Sequence, residues 1–212
     1  MKRGLIKKLA VGGILTALVF LATYYLMVPF PPGYFNLGDV VIIASVLALD
    51  WKIGIVSAAL GSALADVATG SFAIYAPFTF VIKGLMALIV WLVSMPADRI
   101  SKNRIVMHAT NQSVEKIALT GIGKIKAVLR RLTPVVGEAA ILLLASIMGE
   151  IVMIGGYFAA DTILFGVATA VGGLIIPNTF QAVAGAVGGF LLGLILRKLK
   201  LRNLIEPPKK QA

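Results

Sequence analysis

Lys83 is the residue whose position in this chain most needs a chemical explanation. It lies inside a long apolar stretch, whereas the other basic residues cluster in polar segments. Burying an ionisable side chain at membrane depth costs several kilocalories, so such a residue is usually functional or paired with an acid. Asp66 and Glu150 lie in other apolar stretches and are candidate partners. The sequence leaves two interpretations open. Either Lys83 contacts a ligand, or it forms a structural ion pair and its long side chain extends toward the membrane surface.

Other polar side chains are expected near Lys83, in the same half of the apolar segments. Lys83 lies about 9 Å below Pro77 if the intervening residues are helical. Asn178 and Gln181 share one helix face because they are three residues apart, although they could simply cap their helix. An apolar pocket with a few directional polar groups is typical of a small-molecule site. The predicted substrate-binding residues are Asn36, Asp39, Lys83, Glu150, Tyr157, Asn178 and Gln181, with Asp66 as the candidate structural ion-pair partner.

The chain lacks the motifs of several enzyme classes. The Gly-Ile-Gly-Lys run ending at Lys124 does not have the spacing that cradles a nucleotide phosphate. His108 is the only histidine and the chain has no cysteine, which argues against a metal site, a histidine relay and thiolate chemistry. No Ser/His/Asp set can be assembled within the apolar segments. We therefore expect no enzymatic activity, no metal and no cofactor.

The composition predicts an all-α membrane protein. Hydrophobic residues make up 59% of the 212 residues and charged residues only 14%, well outside the usual range of soluble domains. A helix needs about 20 apolar residues to cross a bilayer. The basic N-terminus imitates a signal peptide, but its apolar part is too long and lacks a cleavage site. We predict one polytopic domain over 1–212, a six-transmembrane-helix bundle with helices at about 5–28, 37–50, 53–69, 76–96, 135–160 and 176–197.

Charge placement predicts the orientation of this bundle. The net charge of +11 is explained by the tendency of cytoplasmic loops to collect Lys and Arg, so nucleic-acid binding is not expected. The three loops at 29–36, 69–76 and 160–176 contain no Lys or Arg. Both termini and the basic linker 98–134 are therefore predicted to be cytoplasmic. Within that linker, 114–132 could form a basic amphipathic helix on the lipid surface.

Small residues repeat at four-residue spacing in three of the predicted helices. This spacing lets helix backbones approach closely in a membrane. In predicted helices 3 and 6 we interpret the pattern as packing inside the bundle. In predicted helix 1, internal packing and contact with a partner protein are about equally favoured. The residues are Gly13 and Ala17 in helix 1, Ser57, Gly61 and Ala65 in helix 3, and Gly185, Gly189 and Gly193 in helix 6.

Five segments resemble the S components of energy-coupling factor (ECF) vitamin transporters. They are 34–39 (YFNLGD), 61–66 (GSALAD), 74–85 (IYAPFTFVIKGL), 155–158 (GGYF) and 177–181 (PNTFQ). The resemblance implies a multi-pass subunit of a prokaryotic plasma membrane that captures a B vitamin or precursor at its outer face. It also implies docking onto a transmembrane coupling subunit with two cytoplasmic ATPases. In that family a small-residue motif of helix 1 contacts the coupling subunit, which assigns this role to Gly13 and Ala17, with Gly in place of the usual first Ala.

Two other function classes remain open from the sequence. One is a membrane regulator or assembly factor without a transported ligand. The other is a stand-alone secondary transporter, although the absence of a repeated half counts against it. The substrate is also open among hydroxymethylpyrimidine, a form of vitamin B6 and riboflavin. Small pyrimidine or pyridine rings are slightly favoured because the predicted site has few aromatic residues.

Overall fold

The computed structural model describes residues 2–30, 33–111, 121–171, 175–199 and 201. A short antiparallel hairpin follows the first helix, and all other regular elements are helical. A 3-10 turn, Ala73–Tyr75, precedes the fourth helix. The elements are α1 (Lys2–Tyr25), β1 (Met27–Phe30), β2 (Gly33–Asn36), α2 (Gly38–Ala48), α3 (Trp51–Thr69), α4 (Ala76–Asn111), α5 (Gly121–Phe165), α6 (Val167–Thr169) and α7 (Ile175–Lys198).

The helices confirm an all-α membrane architecture. Among the described residues, 5 helices are long and apolar enough to cross a bilayer, and they belong to α1, α3, α4, α5 and α7. The sixth predicted helix, α2, is apolar but has only 11 residues. At 1.5 Å per residue it is about 16 Å long, roughly half the hydrocarbon thickness. The structure thus has five full-length candidate spans and one short helix, and the cytoplasmic placement of both termini stays a prediction.

The short helix α2 lies in the middle of the bundle. It packs against α7, α1, α3 and α4, and Ile42 and Ile43 are completely buried. Around it, α1 packs on α3, α3 on α4, α4 on α5, and α5 on α7. A helix that is apolar on every side is expected to be enclosed by its neighbours. This arrangement brings Asp39, in the first turn of α2, into the interior of the protein.

The small-residue faces differ in whether they pack inside the bundle. A Cβ atom at Gly61 would lie 2.7 Å from the carbonyl oxygen of Thr16, and one at Gly189 would lie 2.6 Å from Cβ of Ile43. Such approaches confirm that α3 packs closely on α1, and α7 on α2. At Gly13, by contrast, a Cβ would meet nothing within 4 Å, and Ala17 is exposed. The Gly13/Ala17 face of α1 is therefore not used for packing inside the bundle.

The first loop contains structure that the sequence analysis missed. Predicted helix 1 was extended to residue 28, but α1 ends at Tyr25. Met27 pairs with Asn36 and Phe30 with Gly33 in an antiparallel hairpin. The prediction was wrong because it continued the helix to the first proline. Pro29 lies within β1, where a two-stranded ribbon leaves an edge that needs no N–H donor.

The predicted C-terminal end of the fourth helix, at 96, and the predicted start of the fifth helix, at 135, were also wrong. Both had been placed beside a proline, yet α4 continues through Pro96 and α5 passes through Pro134. An internal proline removes one backbone hydrogen bond, and neighbouring helices can offset that loss in a long packed helix. The stretches 98–111 and 121–134 of the predicted linker are thus helical.

The remaining boundaries differ less from the prediction. Of the predicted surface helix 114–132, residues 114–120 lie outside the described part, and the rest is continuous with α5. Predicted helix 2 ends at Ala48 rather than residue 50, because Asp50 is the N-cap of α3 and its side chain accepts a hydrogen bond from the Lys52 N–H at 2.9 Å. The start of predicted helix 6 is correct to one residue.

Candidate functional site

A pocket opens at the end of the bundle that carries the β-hairpin, which we call the hairpin end. It encloses about 420 Å³, including its open mouth. Five separate segments contribute to it: β2, the last turns of α3, the 3-10 turn region, α5, and the first turns of α7. The lining residues are Tyr34, Asn36, Asp66, Phe72, Tyr75, Tyr157, Asp161, Asn178 and Gln181.

Four aromatic side chains form much of the pocket wall. The rings of Tyr34 and Phe72 lie 4.5 Å apart, edge to face. The ring of Tyr75 lies 6.4 Å from that of Tyr157 and 6.3 Å from that of Phe72. The sequence-based expectation that the site contains few aromatic residues was therefore wrong. Flat apolar surfaces of this kind suit a planar ring system.

Two carboxylates lie between these aromatic residues. Tyr34 donates a hydrogen bond of 2.6 Å from its hydroxyl to Oδ1 of Asp66, and Tyr75 donates one of 2.7 Å to Oδ1 of Asp161. Burial, followed by the negative charge of Asp66, raises the pKa of Tyr34, so its phenol remains protonated and keeps donating. Asp66 is 1% exposed, and its Oδ2 has no hydrogen-bond partner among the described residues.

A buried ion pair lies just below the pocket. Lys83 Nζ contacts Oδ1 of Asp39 at 2.5 Å, and both side chains are almost completely buried. The expectation that Asp66 or Glu150 would pair with Lys83 was wrong, because α2 runs through the bundle centre and presents Asp39 to α4. Lys83 does not line the pocket, although its Nζ lies 5.3 Å from the centroid of the Tyr157 ring.

Gln181 connects this ion pair to the pocket. Its Nε2 donates to Oδ2 of Asp39 at 2.7 Å. Its Oε1 accepts from the backbone N–H and from the side-chain amide of Asn36, at 2.9 and 3.0 Å. Asn36 Oδ1 in turn accepts from the Gly38 N–H at 2.9 Å. One amide therefore joins the hairpin, the start of α2 and the start of α7, and its orientation is fixed by these contacts.

Glu150 lies deeper than the sequence analysis placed it. It does not line the pocket, it is 3% exposed, and neither of its carboxylate oxygens has a hydrogen-bond partner among the described residues. A Cβ at Gly185 would meet both Glu150 and Cβ of Asp39, so the two acids approach one another beneath the pocket. Close packing around a glycine of α7 thus creates the space that this carboxyl occupies.

The seven predicted substrate-binding residues therefore occupy two layers. Four of them line the pocket: Asn36, Tyr157, Asn178 and Gln181. The other three, Asp39, Lys83 and Glu150, lie beneath it. Asp66, which was predicted as a structural partner, lines the pocket instead.

Sequence reasoning missed four other lining residues. Tyr34, Phe72 and Tyr75 lie in the basic-residue-free loops, where the clustering of aromatic residues was an available signal. Asp161 comes directly after the predicted end of helix 5 and was not considered. Within the described ranges, no three His, Cys, Asp or Glu side chains come close enough together to hold a metal ion.

The opposite end of the bundle, which we call the Arg197 end, is closed by ion pairs. Arg197 donates through Nη2 to Asp98 at 2.8 Å and to Glu138 at 3.2 Å, and through Nη1 to the Leu47 carbonyl at 2.8 Å. One guanidinium thereby joins the C-terminal ends of α2 and α7 to interior positions of α4 and α5. Lys8 of α1 pairs with Asp50 at 3.0 Å.

Comparison with known proteins identifies the family. A family model described as "ECF-type riboflavin transporter, S component" matches residues 4–198. A Pyrococcus woesei protein described as "Uncharacterized protein in gap 3'region" is 29% identical over 182 residues, which cover 85% of this chain and 95% of that protein. No solved structure matches. Since the family match spans nearly all of the helical bundle, the chain belongs to the ECF-type riboflavin transporter S components, a family of vitamin-specific membrane subunits of prokaryotic transporters.

Proposed function

We propose that this protein binds riboflavin in the hairpin-end pocket and delivers it to an ECF importer. The observation that carries this proposal is the wall of Tyr34, Phe72, Tyr75 and Tyr157 around an open pocket of about 420 Å³, its mouth included. A fused, planar ring system gains both apolar burial and offset stacking between such side chains. The aromatic wall favours a flavin over the smaller pyrimidine or pyridine rings.

The polar groups of the pocket orient the ligand. Asp66 offers Oδ2 as an acceptor with no protein partner among the described residues, and Asn178 supplies an amide that can both donate and accept. Gln181 stands at the floor, where its contacts with Asn36 and Asp39 hold it in place. The hairpin supplies Tyr34 to the wall.

The proposed orientation places this pocket outside the cell. The loops at the hairpin end lack Lys and Arg, whereas the basic termini and linker belong to the other side. Riboflavin would enter from outside and leave toward the cytoplasm when the protein docks onto a transmembrane coupling subunit with two ATPases.

The Gly13/Ala17 face is the proposed contact with the coupling subunit. Both residues are exposed on α1, whose apolar span is only 17% buried, against 33–44% for the other four candidate spans. Small residues there would allow close approach of a partner helix. Gly13→Leu combined with Ala17→Leu should therefore abolish co-purification with the coupling subunit and ATP-driven uptake. Riboflavin affinity of the isolated double mutant should be unchanged, and loss of folding would contradict the assignment.

The binding proposal is tested by ligand analysis of the purified protein. Mass spectrometry of small molecules extracted from the protein should find riboflavin, and titration with riboflavin should quench the flavin fluorescence to saturation. A Phe72→Ala variant should weaken this binding, whereas Phe20→Ala, a change in α1 outside the pocket lining, should not. Absence of any bound vitamin would favour a regulatory protein. Uptake by vesicles that lack the ATPases would favour a secondary transporter.

A further inference from the structure

One face of α4 lies behind the pocket wall without forming part of it. Thr79 is 1% exposed and precedes Lys83 by one turn on this face. Neither residue lines the pocket. Both nevertheless approach Tyr157, whose ring belongs to the wall. Thr79 Oγ1 lies 3.0 Å from the Tyr157 hydroxyl oxygen, and Lys83 Nζ lies 5.3 Å from the centroid of the ring.

Close packing of α5 on α4 fixes this meeting of side chains. A Cβ atom at Gly156, the residue before Tyr157, would lie 2.8 Å from Cγ1 of the buried Ile82. The two helices therefore touch directly beside the tyrosine. Because α5 cannot move away here without opening that contact, the place of the Tyr157 ring in the wall is determined largely by what α4 presents to it.

The Thr79 hydroxyl also links Tyr157 to Asp66. Asp66 accepts a hydrogen bond from Tyr34 through Oδ1. Thr79 acts on the same carboxylate through its hydroxyl and Lys83 through its charge, although Oδ2 itself has no hydrogen-bond partner among the described residues. A hydroxyl can accept one hydrogen while it donates its own, whereas an ionised carboxylate can only accept. A Thr79 hydrogen turned toward Asp66 thus leaves the Thr79 oxygen to accept from Tyr157.

We propose that Thr79 is a positioning residue of the pocket, which holds the Tyr157 ring in the wall without touching the ligand. This inference rests on the proposed function and adds to it a residue outside the pocket lining. Thr79 accepts the hydroxyl hydrogen of Tyr157 and directs its own hydrogen toward Asp66. A ring held in this way is already ordered before the ligand arrives, so binding does not have to supply the cost of ordering it.

Thr79→Val provides the sharpest variant, because it removes the hydroxyl and nearly preserves the shape of the side chain. Riboflavin should bind to it about three- to tenfold more weakly, as expected for the loss of one neutral hydrogen bond. Thr79→Ser keeps the hydroxyl and should restore most of the affinity. The matched control is Thr16→Val, which removes a hydroxyl that contacts Ser57, away from the pocket lining. It should leave the affinity unchanged.

A double-mutant cycle tests whether Thr79 acts through Tyr157. Tyr157→Phe keeps the ring and removes the other partner of the hydrogen bond. In the combined variant, the loss of riboflavin affinity should be smaller than the product of the two single losses. Melting temperatures in detergent show which variants are folded. If Thr79→Val does not fold, Tyr157→Phe by itself must weaken riboflavin binding by the same factor of about three to ten.

The possible results separate the inference from the proposed function. Unchanged riboflavin affinity in folded Thr79→Val, an equally weak Thr79→Ser, or losses that multiply in the combined variant would each overturn the inference and leave riboflavin binding intact. An equal loss in Thr16→Val would show general loosening of the bundle and would also overturn it. If the unaltered protein does not bind riboflavin, the proposed function fails, and this inference fails with it.

Discussion

The two ends of the bundle handle buried polar groups in opposite ways. At the Arg197 end, one guanidinium satisfies two carboxylates and a helix-terminal carbonyl. At the hairpin end, Asp66 Oδ2 and both oxygens of Glu150 lack a hydrogen-bond partner in the described structure. Each unsatisfied buried group destabilises a fold by about 1–3 kcal/mol. The difference is that polar groups are paired across helices at the Arg197 end, whereas several buried acceptors at the hairpin end have no partner among the described residues. Under the proposed function, a bound ligand would supply the donor that Asp66 Oδ2 lacks.

Lys83→Met should have the largest effect on stability of any change at the hairpin end. It leaves the Asp39 carboxylate buried without its cation, which typically costs about 3–5 kcal/mol. The apparent melting temperature in detergent should fall, and riboflavin affinity should weaken because Asp39 also holds Gln181. Adding Asp39→Asn should recover much of the lost stability, since the remaining amide is neutral. A melting temperature that is unchanged in Lys83→Met, together with lost binding, would make Lys83 a direct ligand contact instead.

Arg197→Met should destabilise the protein without affecting the site. Three hydrogen bonds are lost, but the side chain is 17% exposed, so water compensates in part and the expected cost is about 1–3 kcal/mol. The matched control is Arg99→Met, a change of an exposed arginine one residue from Asp98. Thermal unfolding and riboflavin titration of both variants provide the measurement. A large change in riboflavin affinity in Arg197→Met would contradict the expectation that the contacts at the Arg197 end do not influence binding at the hairpin end.

Gln181→Ala should weaken binding and stability together, because this amide contacts both Asn36 and Asp39. Several neutral and charged hydrogen bonds are removed, so we expect a loss of affinity of at least about tenfold. A normal melting temperature would show that the network beneath the pocket contributes little to the fold.

Asn178→Ala should have the smallest effect, and only on binding. Asn178 lines the pocket but is not part of the hydrogen-bond network that joins Gln181, Asn36 and Asp39. The loss of one neutral hydrogen bond to the ligand corresponds to about 0.5–1.5 kcal/mol, or a two- to twelvefold weaker affinity by calorimetry. A fall in melting temperature as large as that of Gln181→Ala would place Asn178 in the structural network.

The sequence predicted the hairpin-end site better at the level of helices than of side chains. Asn178 and Gln181 were grouped correctly because helical spacing fixes their common face. Lys83 was paired with the wrong acids, because partner choice depends on how α2 lies within the bundle, and local sequence does not encode that placement. Tyr34 and Phe72 were missed for a related reason: their contribution requires the hairpin and the turn after α3 to fold over the same cavity.

The prediction of the fold divides in the same way: single segments were located correctly, and features that depend on their packing were not. Hydropathy located every apolar span, because burial in lipid acts on each segment separately. It failed where tertiary packing decides, as at Pro96 and Pro134, which continue helices instead of ending them.

A structure of the protein determined with riboflavin bound tests the central claim most directly. We predict that the ring system lies in the hairpin-end pocket among Phe72, Tyr75 and Tyr157, with a hydroxyl or ring N–H of the vitamin within hydrogen-bonding distance of Asp66 Oδ2. The Arg197 contacts at the other end should be unchanged. Density for the vitamin at the Arg197 end, on the Gly13/Ala17 face, or in the pocket with Asp66 Oδ2 still without a donor would contradict the account.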